Sequence, residues 1–128
     1  MNMRLGENAH IGGNLTVSGT INGSVVGNSD YNIKNNILPL SKKYSQIFDA
    51  LKPVSYNFNN NNDNCTYTGF IAQDVKKAIE DAGFTTQDFA AYCEWENDDG
   101  SIGCGLRYSE FIALCVDQIQ KLKAQTLQ

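Results

Sequence analysis

The stretch Ser41-Lys-Lys-Tyr-Ser-Gln-Ile-Phe-Asp-Ala-Leu-Lys-Pro-Val-Ser-Tyr-Asn-Phe58 changes its hydrophobic period half-way, and that change decides the fold class. Tyr44, Ile47, Phe48 and Leu51 recur at i, i+3, i+4 and i+7, which is one face of a helix with Ser41 as its N-cap. Pro53 stops that helix, because proline has no N–H to give and disfavours a helical residue before it. Val54 to Phe58 then alternates, as a half-buried strand does. Downstream, Asn59 to Asn64 is a polar, asparagine-rich loop. Cys65 to Ala72 supplies the aromatic and apolar residues of a second strand, which closes a β-hairpin.

The rest of the chain repeats the theme. Asp74 to Ala82 predicts a helix with Val75, Ala78 and Ile79 on one face and Gly83 as its C-cap. Phe89 to Glu96 and Ser101 to Tyr108 predict a second hairpin. Read with a two-residue turn inside Asn97-Asp98-Asp99-Gly100, that hairpin sets Cys93 opposite Cys104. The closing segment from Ser109 to Gln125 is the strongest helix. Ile112, Cys115, Ile119 and Leu122 step through it at heptad spacing, and Phe111, Leu114 and Val116 widen the stripe. Such a helix either covers its own sheet or packs on both its sheet and symmetry mates. The expected fold is therefore α+β, with two β-hairpins and three helices, over residues 29–128.

Upstream, residues 1–28 differ in composition. Leu15, Val17, Gly19, Ile21, Gly23 and Val25 alternate with Thr16, Ser18, Thr20, Asn22 and Ser24, the pattern of a half-buried strand. No partner strand lies within the segment, and a single strand is not stable in water. Pairing with copies of itself in other chains resolves this; a flexible linker or expression remnant is the alternative.

Composition narrows the function. Ten basic and fourteen acidic residues give a net charge of −4, which argues against a nucleic-acid module. No apolar run reaches membrane-spanning length and no secretory leader opens the chain, so no membrane partner is expected. Leu, Ile, Val and Phe number 31 of 128 residues, enough for a modest core. Cys65, Cys93, Cys104 and Cys115 form no CxxC pair and the single histidine is His10, so no metal or other cofactor is expected. Directly opposed cysteines rarely have disulfide geometry, and four reduced thiols are expected. Glu94, Glu96, Asp98 and Asp99 bracket a turn and lack calcium-loop spacing.

Ser29-Asp30-Tyr31-Asn32-Ile33-Lys34 lies where the leader gives way to the globular part. A serine hydroxyl needs a base to take its proton, and with no usable histidine a lysine is the only strong candidate. Ser–Lys pairs are an established variant of the nucleophile–base arrangement. The lysine must be neutral to serve, which burial favours. A spacing of five brings the two together only if the chain bends or if they come from neighbouring chains.

Ser29-Asp30-x-x-Ile33-Lys34-x-Asn36-Ile37 resembles the SDxRLKxNI signature of the endosialidase-type intramolecular chaperone, an auto-processing domain that ends many bacteriophage tailspikes, tail fibres and neck appendages. The likeness continues in order along the chain. Leu51-Lys52-Pro53-Val54-Ser55-Tyr56 is similar to the family's L-x-P-V-x-F/Y element, and Gly69-Phe70-Ile71-Ala72-Gln73-Asp74-Val75 to its G-x-I-A-Q-E/D-V element. Leu106 to Phe111 with Gln118 to Leu122 resembles the closing helix, and the leader resembles the β-stalks that precede this domain.

The resemblance implies a homotrimer that registers an upstream fibre segment of the same polypeptide and then releases itself by autoproteolysis. Ser29 would be the nucleophile and Lys34 the general base, with Asp30 and Asn32 in support. Attack on the carbonyl of Asn28 would cut between Asn28 and Ser29; a cut between Ser29 and Asp30 is left open. The signature's arginine is Asn32 here, a departure that bears on the rate of processing. The implied setting is the host cytoplasm during virion assembly, with the parent protein in the virion tail or neck. Two other readings remain beside it: a non-cleaving trimerisation module, and a glycan-binding fibre tip using Tyr31, Tyr67, Tyr92 and Trp95.

Overall fold

The computed structural model describes residues 2–59 and 62–127. The chain divides into two units, Met1–Ile37 and Leu38–Gln128. In the first, the described residues up to Asp30 form no helix or strand and are exposed, so the alternating leader has no ladder partner within its own chain. Its one regular element is a 3-10 turn at Tyr31–Ile33.

The second unit runs α1 (Lys42–Ala50), β1 (Val54–Tyr56), β2 (Tyr67–Gly69), α2 (Ala72–Asp81), β3 (Tyr92–Glu96), β4 (Ile102–Leu106) and α3 (Glu110–Thr126). The strands pair as two antiparallel hairpins, β1 with β2 and β3 with β4. This is the α+β arrangement expected from the sequence. Ile47 of α1, Val75 and Ile79 of α2 and Leu114 of α3 are the largest fully buried side chains. Phe89, Tyr92 and Phe111 complete the core, with Tyr44 meeting Phe84 and Phe89 edge-on at ring separations of 5.0 and 5.7 Å.

Local chemistry explains the boundaries. Helix α1 ends before Pro53, as expected, with Leu51 extended and its N–H on the Phe48 carbonyl. Ser41 and Ser109 sit at the N-cap positions of α1 and α3, yet neither side chain makes a capping bond. Helix α2 ends in a Schellman motif: Phe84 N–H reaches the Ile79 carbonyl at 3.1 Å and Gly83 N–H the Glu80 carbonyl at 3.0 Å. Gly83 adopts φ +85°, so it lies one position past the cap, which is Ala82. The first hairpin is shorter than its sequence pattern, because only Tyr67–Gly69 pairs with Val54–Tyr56. Residues 60 and 61 of the Asn-rich loop lie outside the described residues.

The second hairpin corrects the expected register. Cys93 pairs with Gly105, and Cys104 pairs with Glu94. The turn holds three residues rather than two: Asn97 N–H meets the Ser101 carbonyl at 2.8 Å, and Gly100 takes φ +83°. A left-handed glycine after a type I turn inserts one residue as a bulge, which shifts every downstream pairing by one. All four thiols are free; Cys65 and Cys115 are exposed.

Helix α3 does not lie across a sheet, although both readings of its stripe placed it there. Phe111 and Leu114 are buried, and α3 packs on α1 rather than across a sheet. Gln118 Nε2 and Lys121 Nζ both donate to Ser45 Oγ of α1, at 2.8 and 3.1 Å. The other face carries Ile112, Val116, Ile119 and Leu122, each about half exposed or more.

Candidate functional site

Ser29 and Lys34 meet within one chain. Asp30 is extended and its carboxylate accepts from the Asn32 N–H at 2.9 Å, which starts the 3-10 turn. Ile33 N–H then reaches the Asp30 carbonyl and Lys34 N–H the Tyr31 carbonyl, both at 3.2 Å. This one turn bends the chain enough to set Lys34 Nζ 2.5 Å from Ser29 Oγ. The Asn28 carboxamide oxygen accepts from Asp30 N–H at 3.5 Å, a long contact that spans the Asn28–Ser29 peptide bond. Two residues beyond Lys34, Asn36 takes φ +52°, a left-handed conformation that asparagine tolerates better than most residues. Every residue from Asn28 to Lys34 is exposed in the single chain.

The pair has the elements of acyl chemistry, a hydroxyl and an amine in hydrogen-bond contact next to a peptide carbonyl. A lysine amine acts as base only after giving up its own proton, and removal from water favours that form. Asn32, the other supporting residue, contributes its backbone N–H to the turn. His10 lies exposed in the leader. Among the described residues no group of three or more His, Cys, Asp or Glu side chains could hold a metal ion. Among the described residues no helix is long and apolar enough to cross a membrane.

The second unit holds a polar network and an apolar groove. Tyr92 donates to Glu94 Oε1 at 2.7 Å and Lys76 Nζ lies 3.3 Å from the same oxygen. The Tyr92 hydroxyl, then Lys76, hold the Glu94 carboxyl below the usual range, while the same contact with Glu94 pushes the Tyr92 phenol well up. The groove, about 380 Å³, lies among Tyr56, Phe58, Phe70, Leu106 and Tyr108. None of its lining side chains is an Asp, Glu, Lys, Arg or His. Of the aromatics proposed for glycan binding, Tyr92 is buried in the core and cannot serve, whereas Tyr31 and Trp95 are exposed.

Residues 29–84 match the family model described as chaperone of endosialidase, also named a peptidase family. The likeness to an endosialidase-type chaperone thus extends over 56 of the chain's 128 residues. Its fold is similar to that of a solved structure described as "Crystal structure of a novel intramolecular chaperon". The two share 24% identity and a TM-score of 0.62, over 76% of this chain and 99% of that one. None of the curated proteins matches the chain. An intramolecular chaperone acts on a segment of its own polypeptide, and the segment of this chain that matches the family model begins at Ser29.

The motif residues within and beyond the matched segment have structural reasons. Gly69 leaves room for Tyr108, whose hydroxyl accepts from Phe70 N–H at 3.1 Å and donates to the Phe70 carbonyl at 3.3 Å. Gln73 Nε2 donates to Cys104 Sγ at 3.3 Å and ties α2 to β4, and Val75 is buried. Sequence reasoning missed the capping role of Asp30 and the Gln118–Ser45 and Lys121–Ser45 bonds. The Asx-type pattern, an acidic residue two positions before the capped N–H, was the available signal for the first.

Proposed function

We propose that the domain assembles as a homotrimer, registers an upstream fibre segment of its own polypeptide, and releases itself by cutting between Asn28 and Ser29. The observation that carries this reading is the 2.5 Å approach of Lys34 Nζ to Ser29 Oγ at the head of the family-matched segment. Neutral Lys34 takes the Oγ proton as Oγ attacks the Asn28 carbonyl carbon. The tetrahedral intermediate collapses, the C–N bond breaks, and the proton passes from Lys34 to the Ser29 nitrogen. An ester then joins Asn28 to Ser29 Oγ. Water hydrolyses it, leaving a carboxylate on Asn28 and a free amine and hydroxyl on Ser29.

Trimerisation is supported by what the single chain leaves uncovered. Ile112, Ile119 and Leu122 are 64, 63 and 63% exposed along α3, and Leu15 and Ile21 of the leader are 64 and 58% exposed. Exposed apolar side chains repeated along one element mark an interaction face. Assembly would also take Lys34 out of water, which links cleavage to completion of the trimer. The order has a kinetic logic. Long-range strand pairing is slow because loop closure costs entropy first, and a trimer that forms early raises the strands' effective concentration. Once the stalk has wound, removal of the domain leaves the product kinetically trapped. On this reading the domain acts in the host cytoplasm during virion assembly, and the parent protein belongs to the tail or neck. Asn32 in place of the signature's arginine favours the second reading, a trimerisation module that does not cut.

Hydroxylamine tests the chemistry. It traps an ester as a hydroxamate, so it is expected to speed release and to leave that group on the fragment ending at Asn28. Fragments ending elsewhere, or cleavage that survives Lys34→Ala unchanged, would contradict the mechanism.

A further inference from the structure

Resting on that reading of Ser29 and Lys34, we propose that Asp30 is a positioning residue whose carboxylate cap, rather than its charge, holds the base against the nucleophile. Five residues of extended chain span roughly 17 Å, far beyond the reach of a lysine side chain, so the contact exists only while the chain is turned. The turn has little else to hold it. Tyr31–Ile33 is three residues long, buries no side chain, and has two backbone bonds of 3.2 Å. A nucleus that short is unfavourable in water, and 3-10 bonds have poorer geometry than α-helical ones. Among the described residues, the 2.9 Å bond from Asn32 N–H to the Asp30 carboxylate is the one side-chain bond that enters the turn. It satisfies a donor that the turn itself leaves without a partner.

The location makes the cap consequential. Asp30 lies between the nucleophile and the base, its carbonyl accepts the first bond of the turn, and its N–H faces the Asn28 carboxamide oxygen at 3.5 Å. Both ends of the reacting unit are thus indexed to one residue. Opening the turn carries Lys34 away from Ser29 Oγ without altering either group, so the rate falls in proportion to the closed population.

Asparagine caps about as well as aspartate and alanine does not, which separates cap from charge. In full-length protein under assembling conditions, Asp30→Ala is expected to slow single-turnover cleavage about fivefold to tenfold, the size of effect that loss of an N-cap produces. Asp30→Asn is expected to restore the rate to within about twofold, with the pH profile of wild type. Asp30→Asn as slow as Asp30→Ala, or a displaced pH profile in Asp30→Asn, would mean that the charge acts on Lys34 and would overturn the proposal. So would Asp30→Ala cleaving as fast as wild type.

A second readout needs no cleavage. In the uncut Ser29→Ala background, amide exchange at Asn32 is expected to be slowed, to accelerate on adding Asp30→Ala, and to recover with Asp30→Asn. Exchange indifferent to both substitutions sinks the cap even if cleavage is never seen. Conversely, capped exchange behaviour in a chain that never cuts leaves the cap standing and discards the catalytic reading.

Discussion

Gly69→Ala is a small change with an unusual expected sign. At a glycine without positive φ, alanine ordinarily stabilises a protein by about 0.4–1 kcal/mol, because it restricts the unfolded chain. Here a Cβ would stand 2.4 Å from Tyr108 Oη and 3.0 Å from its Cζ, so the ring must move. Moving it breaks the bonds of the Tyr108 hydroxyl to Phe70 N–H and carbonyl, 3.1 and 3.3 Å long, each worth about 0.5–1.5 kcal/mol. It also disturbs the packing of Tyr108 on Phe70 and Phe111, with centroids 6.2 and 6.0 Å apart, and overpacking of this kind costs about 1–3 kcal/mol. Gly69→Ala is therefore expected to destabilise by about 2–4 kcal/mol in urea unfolding. Because the clash is chiefly with the hydroxyl, the same substitution in a Tyr108→Phe background should cost at least about 1 kcal/mol less. A stabilised Gly69→Ala, or an equal cost in the two backgrounds, would refute the reasoning.

Other outcomes follow from the exposed and charged groups. Ile119→Asp, on the free face of α3, should leave the circular dichroism of the subunit intact and shift the native mass from trimer to monomer. Cys115 on that helix should react quickly with a thiol reagent in dilute protein and become protected on assembly, while Cys65 stays reactive; equal reactivity before and after would argue against α3 as the interface. Glu94 has its pKa lowered by Tyr92 and Lys76, so its contribution to stability is present above the ordinary glutamate range, near about 4.3, and is lost as the pH falls through the lowered value. Glu94→Gln should therefore flatten the acid limb of a stability-versus-pH curve and leave its neutral region nearly unchanged in slope.

Much of this fold was legible because single residues punctuate it. Pro53 ended α1, Gly83 ended α2, and the heptad positions of α3 proved to be the ones left outside. The register of β3 and β4 was not legible, because Asn-Asp-Asp-Gly is compatible with a two-residue turn and with a three-residue turn closed by a left-handed Gly100. Only the structure chooses the latter, and the choice moves Cys93 from Cys104 to Gly105. Tyr92 looked like a surface aromatic on an alternating strand, and β3 instead turns it into the core while Trp95, on the opposite face, lies over Gly103 and Gly105. At the site, the pairing of Ser29 with Lys34 rested on residue types and family resemblance. The means of pairing did not, because a three-residue turn held by one carboxylate leaves no periodic trace.

Under the proposed function the chain cuts itself at Ser29 once assembled. Intact mass spectrometry and native sizing of wild type beside Ser29→Ala, after incubation at a concentration that favours assembly, test it most directly. Both proteins are expected to be trimers, with residues 1–28 released from wild type alone and Ser29 as the new amino terminus. Two whole trimers after long incubation, or equal cleavage in both, would contradict it.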